Sequence, residues 1–352
     1  MHFRNKIGRL FLLFLILTVI TACSNTSGSS SSTANDENNK EIKTGDKTVN
    51  IAFSLYSSEN DLYSVTFREW AEKVEEETEG RVKFTPYYSG QLSSLFDTLD
   101  SVKSGTVDGG LLSAGASSGQ IDAVSLLEPL GVFRSEEDFK EFYEDSLSVM
   151  MDIFQENGVE LSFWTVSNTQ SLIVHPDKFI TNPDQMKGMK IRTAGRWQAE
   201  QAEALGAAPV TMDPGELYLA LQNKTVDTTV QTVNLTESFK LYEVAPKMSL
   251  ANISANANMF ILNSKVWDSI SDEDKEVIRN ISINVGLESY STYAELEETI
   301  LDRMAENGAE INPLTKEEED NFLEIYNSIT PKIVENVGDQ GKELNEILKN
   351  YR

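Results

Sequence analysis

Val49-Asn50-Ile51-Ala52-Phe53-Ser54-Leu55 alternates apolar and polar side chains, the period of a strand with one face toward a core. Just downstream the period changes. Phe67, Trp70, Ala71 and Val74 recur at helical spacing, and Gly80 fits the stop. Residues 81–87 return to an extended pattern. The same order repeats along the chain. Helices are predicted over 93–103 and 135–157 and near 198–205 and 214–221. Strands are predicted over 107–112, 160–164, 170–174, 190–192 and 227–232. Strands alternating with helices predict an α/β fold with parallel sheets.

An internal echo points to two lobes of like construction. Ser104-Gly105-Thr106-Val107-Asp108-Gly109-Gly110 resembles Asn223-Lys224-Thr225-Val226-Asp227-Thr228-Thr229, and both close a helix and open a strand. The echo equates Ser113 with Thr232, each just past a strand's C-terminal end, where open α/β sheets bind ligands. Residues 272–306 carry one long helical pattern. Ser271 is its N-cap, Asp272, Glu273 and Asp274 fill the first turn, and Ile278, Ile281, Val285, Leu296, Ile300 and Met304 keep an apolar stripe to the stop at Gly308. Such a helix is roughly 50 Å long. It is expected to run across both lobes; the alternative is two helices broken near 289–291. Thr315 and Glu318 form a capping box for a final helix ending near Val337.

The N-terminal end reads as a targeting segment. Arg4, Lys6 and Arg9 precede an apolar run over 10–20, too short for a stable membrane span but suited to a signal-peptide core. Ile20-Thr21-Ala22-Cys23 looks like a bacterial lipobox, so residues 1–22 are expected to be removed and Cys23, the only cysteine, to be lipidated. A Ser, Thr, Asn and Gly tether to residue 46 follows, too polar to fold. From residue 47 about 305 residues remain, enough for two lobes. Residues 1–22 hold three of the 30 basic residues and none of the 56 acidic ones, leaving 27 against 56, a charge of −29. That argues against nucleic acid or an anionic membrane surface as a partner. An anionic ligand would need a local cation. With His175 as the one remaining histidine, zinc sites, Cys/His nucleophile pairs and disulfides are excluded, and no nucleotide-binding glycine loop or EF-hand is present.

Met186-Lys187-Gly188-Met189-Lys190-Ile191-Arg192, with Leu205-Gly206-Ala207, Pro209-Val210-Thr211-Met212 and Glu216 to Gln222, resembles the solute-binding proteins of TRAP (tripartite ATP-independent periplasmic) transporters. Gly90-Gln91-Leu92, 104–109 and the long helix agree with that family. The resemblance implies a two-lobed periplasmic-binding-protein clamshell with a long helix spanning both lobes. Lobe I is expected over 47–167 plus about 258–298, and lobe II over 168–257 plus about 299–352. It also implies a monomer at the outer face of the cytoplasmic membrane that takes a small organic acid, without cofactor or metal, to the permease subunits of the transporter. Arg192 would bind the ligand carboxylate, and its planar fork of donors suits that group. Two departures stand out. Many members have Gly where this chain has Lys224 and Thr228, which leaves Asn223 to supply the left-handed cap. Many acid-binding members carry a second Arg where this chain has Thr169, Gln170 and Ser171, which favours a monocarboxylate or an acid whose other end is neutral.

Gln231 and Asn234, past the strand ending near Thr232, offer amides to ligand oxygens, as does Gln91 after the second strand. Trp164, Trp197 and Tyr56 are candidate walls for an apolar part of the ligand, or else core residues. Ser113 and Thr232 complete the set. Two alternatives stand beside this reading. One is a ligand-sensing receptor subunit of the same fold. The other is a serine esterase, because Gly115-Ala116-Ser117-Ser118-Gly119 matches the nucleophile-elbow pattern and His175 lies downstream.

Overall fold

The alternating stretches sort into two separate sheets in the computed structural model, which describes residues 48–128, 135–167, 170–253 and 256–351. The expected signal peptide, Cys23 with its tether, and Thr169 lie outside the described residues. In chain order the strands are β1 (Val49–Ser54), β2 (Val82–Tyr87), β3 (Gly109–Ser113), β4 (Val159–Ser167), β5 (Ser171–His175), β6 (Lys190–Thr193), β7 (Ala208–Thr211), β8 (Thr228–Thr232), β9 (Lys247–Ala251), β10 (Asn256–Asn263) and β11 (Glu310–Pro313). The first sheet runs β2-β1-β3-β10-β4 and the second β11-β9-β5-β8-β6-β7.

Both sheets are mixed, not parallel throughout. β1 is parallel to β2 and β3, but β10 is antiparallel to β3 and β4. β6 is parallel to β7 and β8, whereas β5 is antiparallel to β8 and β9. The connections explain this. A parallel neighbour needs a crossover of a dozen or more residues to bring the chain back to its starting end. β5 enters the second sheet straight from β4, and β10 re-enters the first straight from β9, with no helix between. Each therefore runs against its neighbours. The sequence pattern also fails to mark β7, β9, β10 and β11. In β10, Met259 and Ile261 face one core while Phe260 and Leu262 face the other, and all four are fully buried. A strand covered on both faces shows no alternation.

Local sequence chemistry sets the helices. Asp61 caps the helix Leu62–Glu77 by accepting from Tyr63 N, and Ser135 caps Glu136–Glu156 by accepting from Asp138 N. The helix expected from residue 93 starts later, at Thr98–Ser104. The echo between the lobes is structural. Asp108 accepts the backbone N–H of Ala52 at 2.9 Å, and Asp227 that of Lys190 at 2.8 Å, so each ties its turn to the neighbouring strand. The left-handed residue is Gly105 in one copy and Lys224 in the other, not Asn223.

The long helix is continuous over Asp272–Glu306, capped by Ser271 and unbroken at 289–291. Ile278 and Tyr293 join the core of the first lobe, and Ile300 and Met304 that of the second. A methyl group on Gly286 would overlap Tyr143 Oη, so this glycine lets the Tyr143 ring lie against the helix. The capping box of Thr315 and Glu318 forms as expected, but its helix ends at Asn327. Pro331 lacks the N–H needed to continue it and instead opens the helix Thr330–Asn336, followed by Gly338–Leu348. Ile333, Leu344, Leu348 and Tyr351 pack into the first lobe's core, and Tyr351 Oη donates to Asp145 at 2.6 Å. The last helices thus return to lobe I, whereas the expected partition kept all of 299–352 in lobe II.

Candidate ligand-binding site

Arg192 is the third residue of β6, held between β7 and β8 by pairing with Val210 and Thr229. That register turns it into the protein, and it is only 6 % exposed. Its Nε and Nη2 donate to Met212 O at 3.1 and 2.9 Å. This fixes the guanidinium plane and leaves Nη1 and one N–H of Nη2 for another acceptor. Among the described residues no carboxylate forms an ion pair with it. Burial pulls its pKa down to about 10, against the push of the Asp213 carboxylate, so the group stays cationic at neutral pH. A buried cation without a counterion costs several kcal/mol of desolvation unless something meets it.

Arg192 opens onto a crevice of about 410 Å³, counting its mouth, which both lobes line. Tyr56, Leu95, Ser113 and Asn256 come from the first lobe, and Arg192, Gln198, Gln231 and Thr232 from the second. The Tyr56 hydroxyl donates to Asn258 Oδ1, and Asn258 Nδ2 donates to Asn256 Oδ1 at 3.2 Å. Gln231 Oε1 accepts from Thr232 N at 3.1 Å, but its Nε2 is buried with no partner among the described residues. A buried donor without a partner costs about 1–3 kcal/mol. The crevice therefore presents one cation and one idle amide N–H, a set that fits an anion with a further acceptor atom.

Of the expected contacts, Arg192, Gln231, Tyr56, Ser113 and Thr232 meet at this crevice. Four do not. Gln91 is exposed, because the turn through Ser89 and Gly90, both at positive φ, throws it outward, and Leu95 faces the crevice from that loop. Asn234 is spent on the first lobe, its amide donating to Asp61 Oδ2 at 3.2 Å. Trp164 lies mid-strand in β4, fully buried, stacked on Tyr143 at 4.5 Å and edge-on to Phe139 and Phe142. Trp197, carried by the helix Arg196–Ala204, is buried in the first lobe's core with Arg196 over its ring at 4.3 Å. Trp164→Ala is expected to cost about 3–5 kcal/mol in chemical denaturation, the range for a core aromatic. Gln198 and Asn256 are crevice residues that sequence did not mark, and Asn258 holds Tyr56 from behind. Gln198 follows a strand end like Ser113 and was open to the same rule. The asparagines sit on reversed β10, where that rule does not apply.

The nucleophile-elbow match has no elbow. Ser117 closes a four-residue helix instead of opening one. His175 Nδ1 accepts from Asp177 N and Lys178 N at 3.0 and 3.2 Å, capping its own turn. No group of three or more metal-ligating side chains occurs among the described residues.

Comparison with known proteins gives one answer at three levels. Residues 53–336 match the family described as bacterial extracellular solute-binding protein, family 7. The ectoine-binding periplasmic protein TeaA of Halomonas elongata is 24 % identical over 297 residues, 81 % of this chain and 85 % of that protein. The 2,3-diketo-L-gulonate-binding periplasmic protein YiaO of Escherichia coli is 22 % identical over 265 residues, 74 % of this chain and 80 % of that one. Among solved structures, an extracytoplasmic solute receptor of Bordetella pertussis binding pyroglutamic acid superposes with TM-score 0.79 at 14 % identity, covering 85 % of this chain and 99 % of its own. A TRAP periplasmic solute-binding protein of Desulfovibrio salexigens with bound orotic acid gives 0.79 at 21 %, covering 86 % and 98 %.

Proposed function

Because the chain belongs to the bacterial extracellular solute-binding proteins of family 7, which are receptors and not enzymes, we propose that it captures a small monocarboxylate between its lobes and presents it to the permease of a TRAP-type transporter. The observation that carries this reading is Arg192, a buried cation without a carboxylate partner among the described residues, aimed into a crevice that both lobes line. The ligand carboxylate meets the free edge of the guanidinium, and an acceptor atom nearby takes the idle Gln231 N–H. Apart from Arg192 every residue that lines the crevice is uncharged, Tyr56, Ser113, Gln198, Gln231, Thr232 and Asn256 among them, which favours a ligand whose far end is uncharged. Contacts from both lobes exist only in the closed form, so ligand shifts the population toward it. Cys23 lipidation holds the monomer at the outer face of the cytoplasmic membrane, and two acyl chains suffice for stable anchoring.

A thermal-shift screen of mono- and dicarboxylates tests this. An acid at about 100 times its Kd raises stability by about 2.7 kcal/mol. Monocarboxylates are expected to stabilise the protein more than dicarboxylates of equal length. Failure of every organic acid to stabilise it contradicts the reading.

A further inference from the structure

Two carboxylates of the first lobe, Asp61 and Glu128, are buried against side-chain amides of the second, and among the described residues neither forms an ion pair. Asp61 accepts from Tyr63 N at 2.9 Å and from Asn234 Nδ2 at 3.2 Å, and next to it Ser58 and Ser238 bridge the same two lobes at 2.6 Å. Glu128 lies on the other flank. A methyl group on Gly115 would come within 2.6 Å of Glu128 Oε1 and 3.0 Å of Gln198 Nε2, so the carboxyl and the amide meet over that glycine. Glu128 Oε1 has no hydrogen-bond partner among the described residues. Here the lobes touch backbone to backbone, since a methyl group on Gly195 would overlap Gly115 O, and Ser118 Oγ accepts from Arg196 N at 3.0 Å.

We propose that closing the lobes takes up protons at Asp61 and Glu128, so that acid favours the closed, ligand-holding form. The inference rests on the two-lobe closure of the proposed function, not on the chemistry of the ligand. Parting the lobes removes Asn234 and Gln198 and lets water reach both carboxyls, whereas closing strips that water away. Desolvation in the closed form raises Asp61 to about 7 and Glu128 to about 8, outweighing the hydrogen bonds from Asn234 and Gln198, which pull the other way. The charged groups around them do not offset this. Glu237, which faces Asp61 from the helix Val233–Ser238, pushes the same way and is itself paired with Arg303 of the long helix at 2.7 Å. Tyr63 and Tyr56, also near Asp61, are held neutral by burial, as is Tyr293 of the long helix. Against Glu128, the helix bearing Gln198 offers Arg196 and Glu200, which pair with each other at 3.6 Å, and Glu200 also holds Lys332.

The sign follows from closed-form values above those of a solvated carboxyl. Below about pH 4 both forms bind the protons and closure carries no penalty. As pH rises from there toward 8, each group weakens closure by up to tenfold per unit. Neutral isosteres remove the effect, and asparagine caps a helix as well as aspartate does.

Spin labels at Leu92→Cys and Leu219→Cys, both exposed and one on each lobe, report the interlobe distance by electron–electron resonance in the ligand-free full chain carrying Cys23→Ser. The closed-to-open ratio is expected to fall at least about tenfold between pH 5.5 and 8.5. Asp61→Asn with Glu128→Gln is expected to stay closed at both, and each single variant to retain part of the shift. A distance that ignores pH in the unsubstituted background, or a shift that survives in the double variant, overturns the proposal. Because no ligand is present, either result leaves the carboxylate reading to its own test.

Discussion

Arg192→Ala is expected to lower affinity for the acid at least about 30-fold while leaving the free protein folded. Removing one partner of a buried charge-assisted pair costs about 2–5 kcal/mol of binding, and the upper part of that range puts the loss near a thousandfold. The fold is spared for a specific reason. In the free protein the guanidinium gains hydrogen bonds to Met212 O alone among the described residues, against the desolvation of a 6 % exposed cation. Deleting it removes a cost along with a contact. Arg192→Lys keeps the charge but not the planar fork, so an intermediate loss of about tenfold is expected. Calorimetric titration beside thermal melts of the free proteins checks both variants. Wild-type affinity in Arg192→Ala contradicts the assignment.

Gly195→Ala is expected to abolish ligand-induced stabilisation by keeping the lobes apart. Gly195 has an extended backbone, φ −178°, that any residue adopts, so the obstacle is space and not strain. The added methyl group would overlap the carbonyl oxygen of Gly115 in the other lobe and come within 2.7 Å of Ser118 Oγ. Backbone on both sides leaves little room to give. The substituted Gly195 is only half-buried, so the free protein is expected to melt close to wild type. An acid that stabilises wild type by about 2.7 kcal/mol should then stabilise this variant by less than about 0.5. Undiminished stabilisation would mean that the two lobes do not close on the ligand at this point.

The two variants probe parts of the site that differ in how visible they were in the sequence. The strand-end rule, applied through the echo, pointed to Ser113 and Thr232, which line opposite walls of one crevice, and the matching roles of Asp108 and Asp227 explain why the echo exists. Arg192 was legible from its motif. The long helix was legible from its caps and stripe. What was not legible depends on partners far away in the chain. Trp164 is interior because Phe139, Phe142 and Tyr143 surround it, not because of its neighbours in sequence. Asn234 faces Asp61 rather than the crevice, a choice set by how the lobes meet. Asn256 reaches the site, and Asn258 the Tyr56 behind it, along a strand whose reversed direction follows from the chain passing between sheets. The closing helices return to lobe I because Ile333, Leu344 and Leu348 find an apolar face there that local pattern does not announce.

The central claim is that a buried, uncompensated Arg192 recognises one carboxylate. Its most direct test is calorimetric titration of the protein with the best-stabilising monocarboxylate and, separately, with the primary amide of the same acid, which keeps the shape and removes the charge. The acid is expected to bind one to one, and the amide at least about 30-fold more weakly. Equal affinity for acid and amide would contradict it.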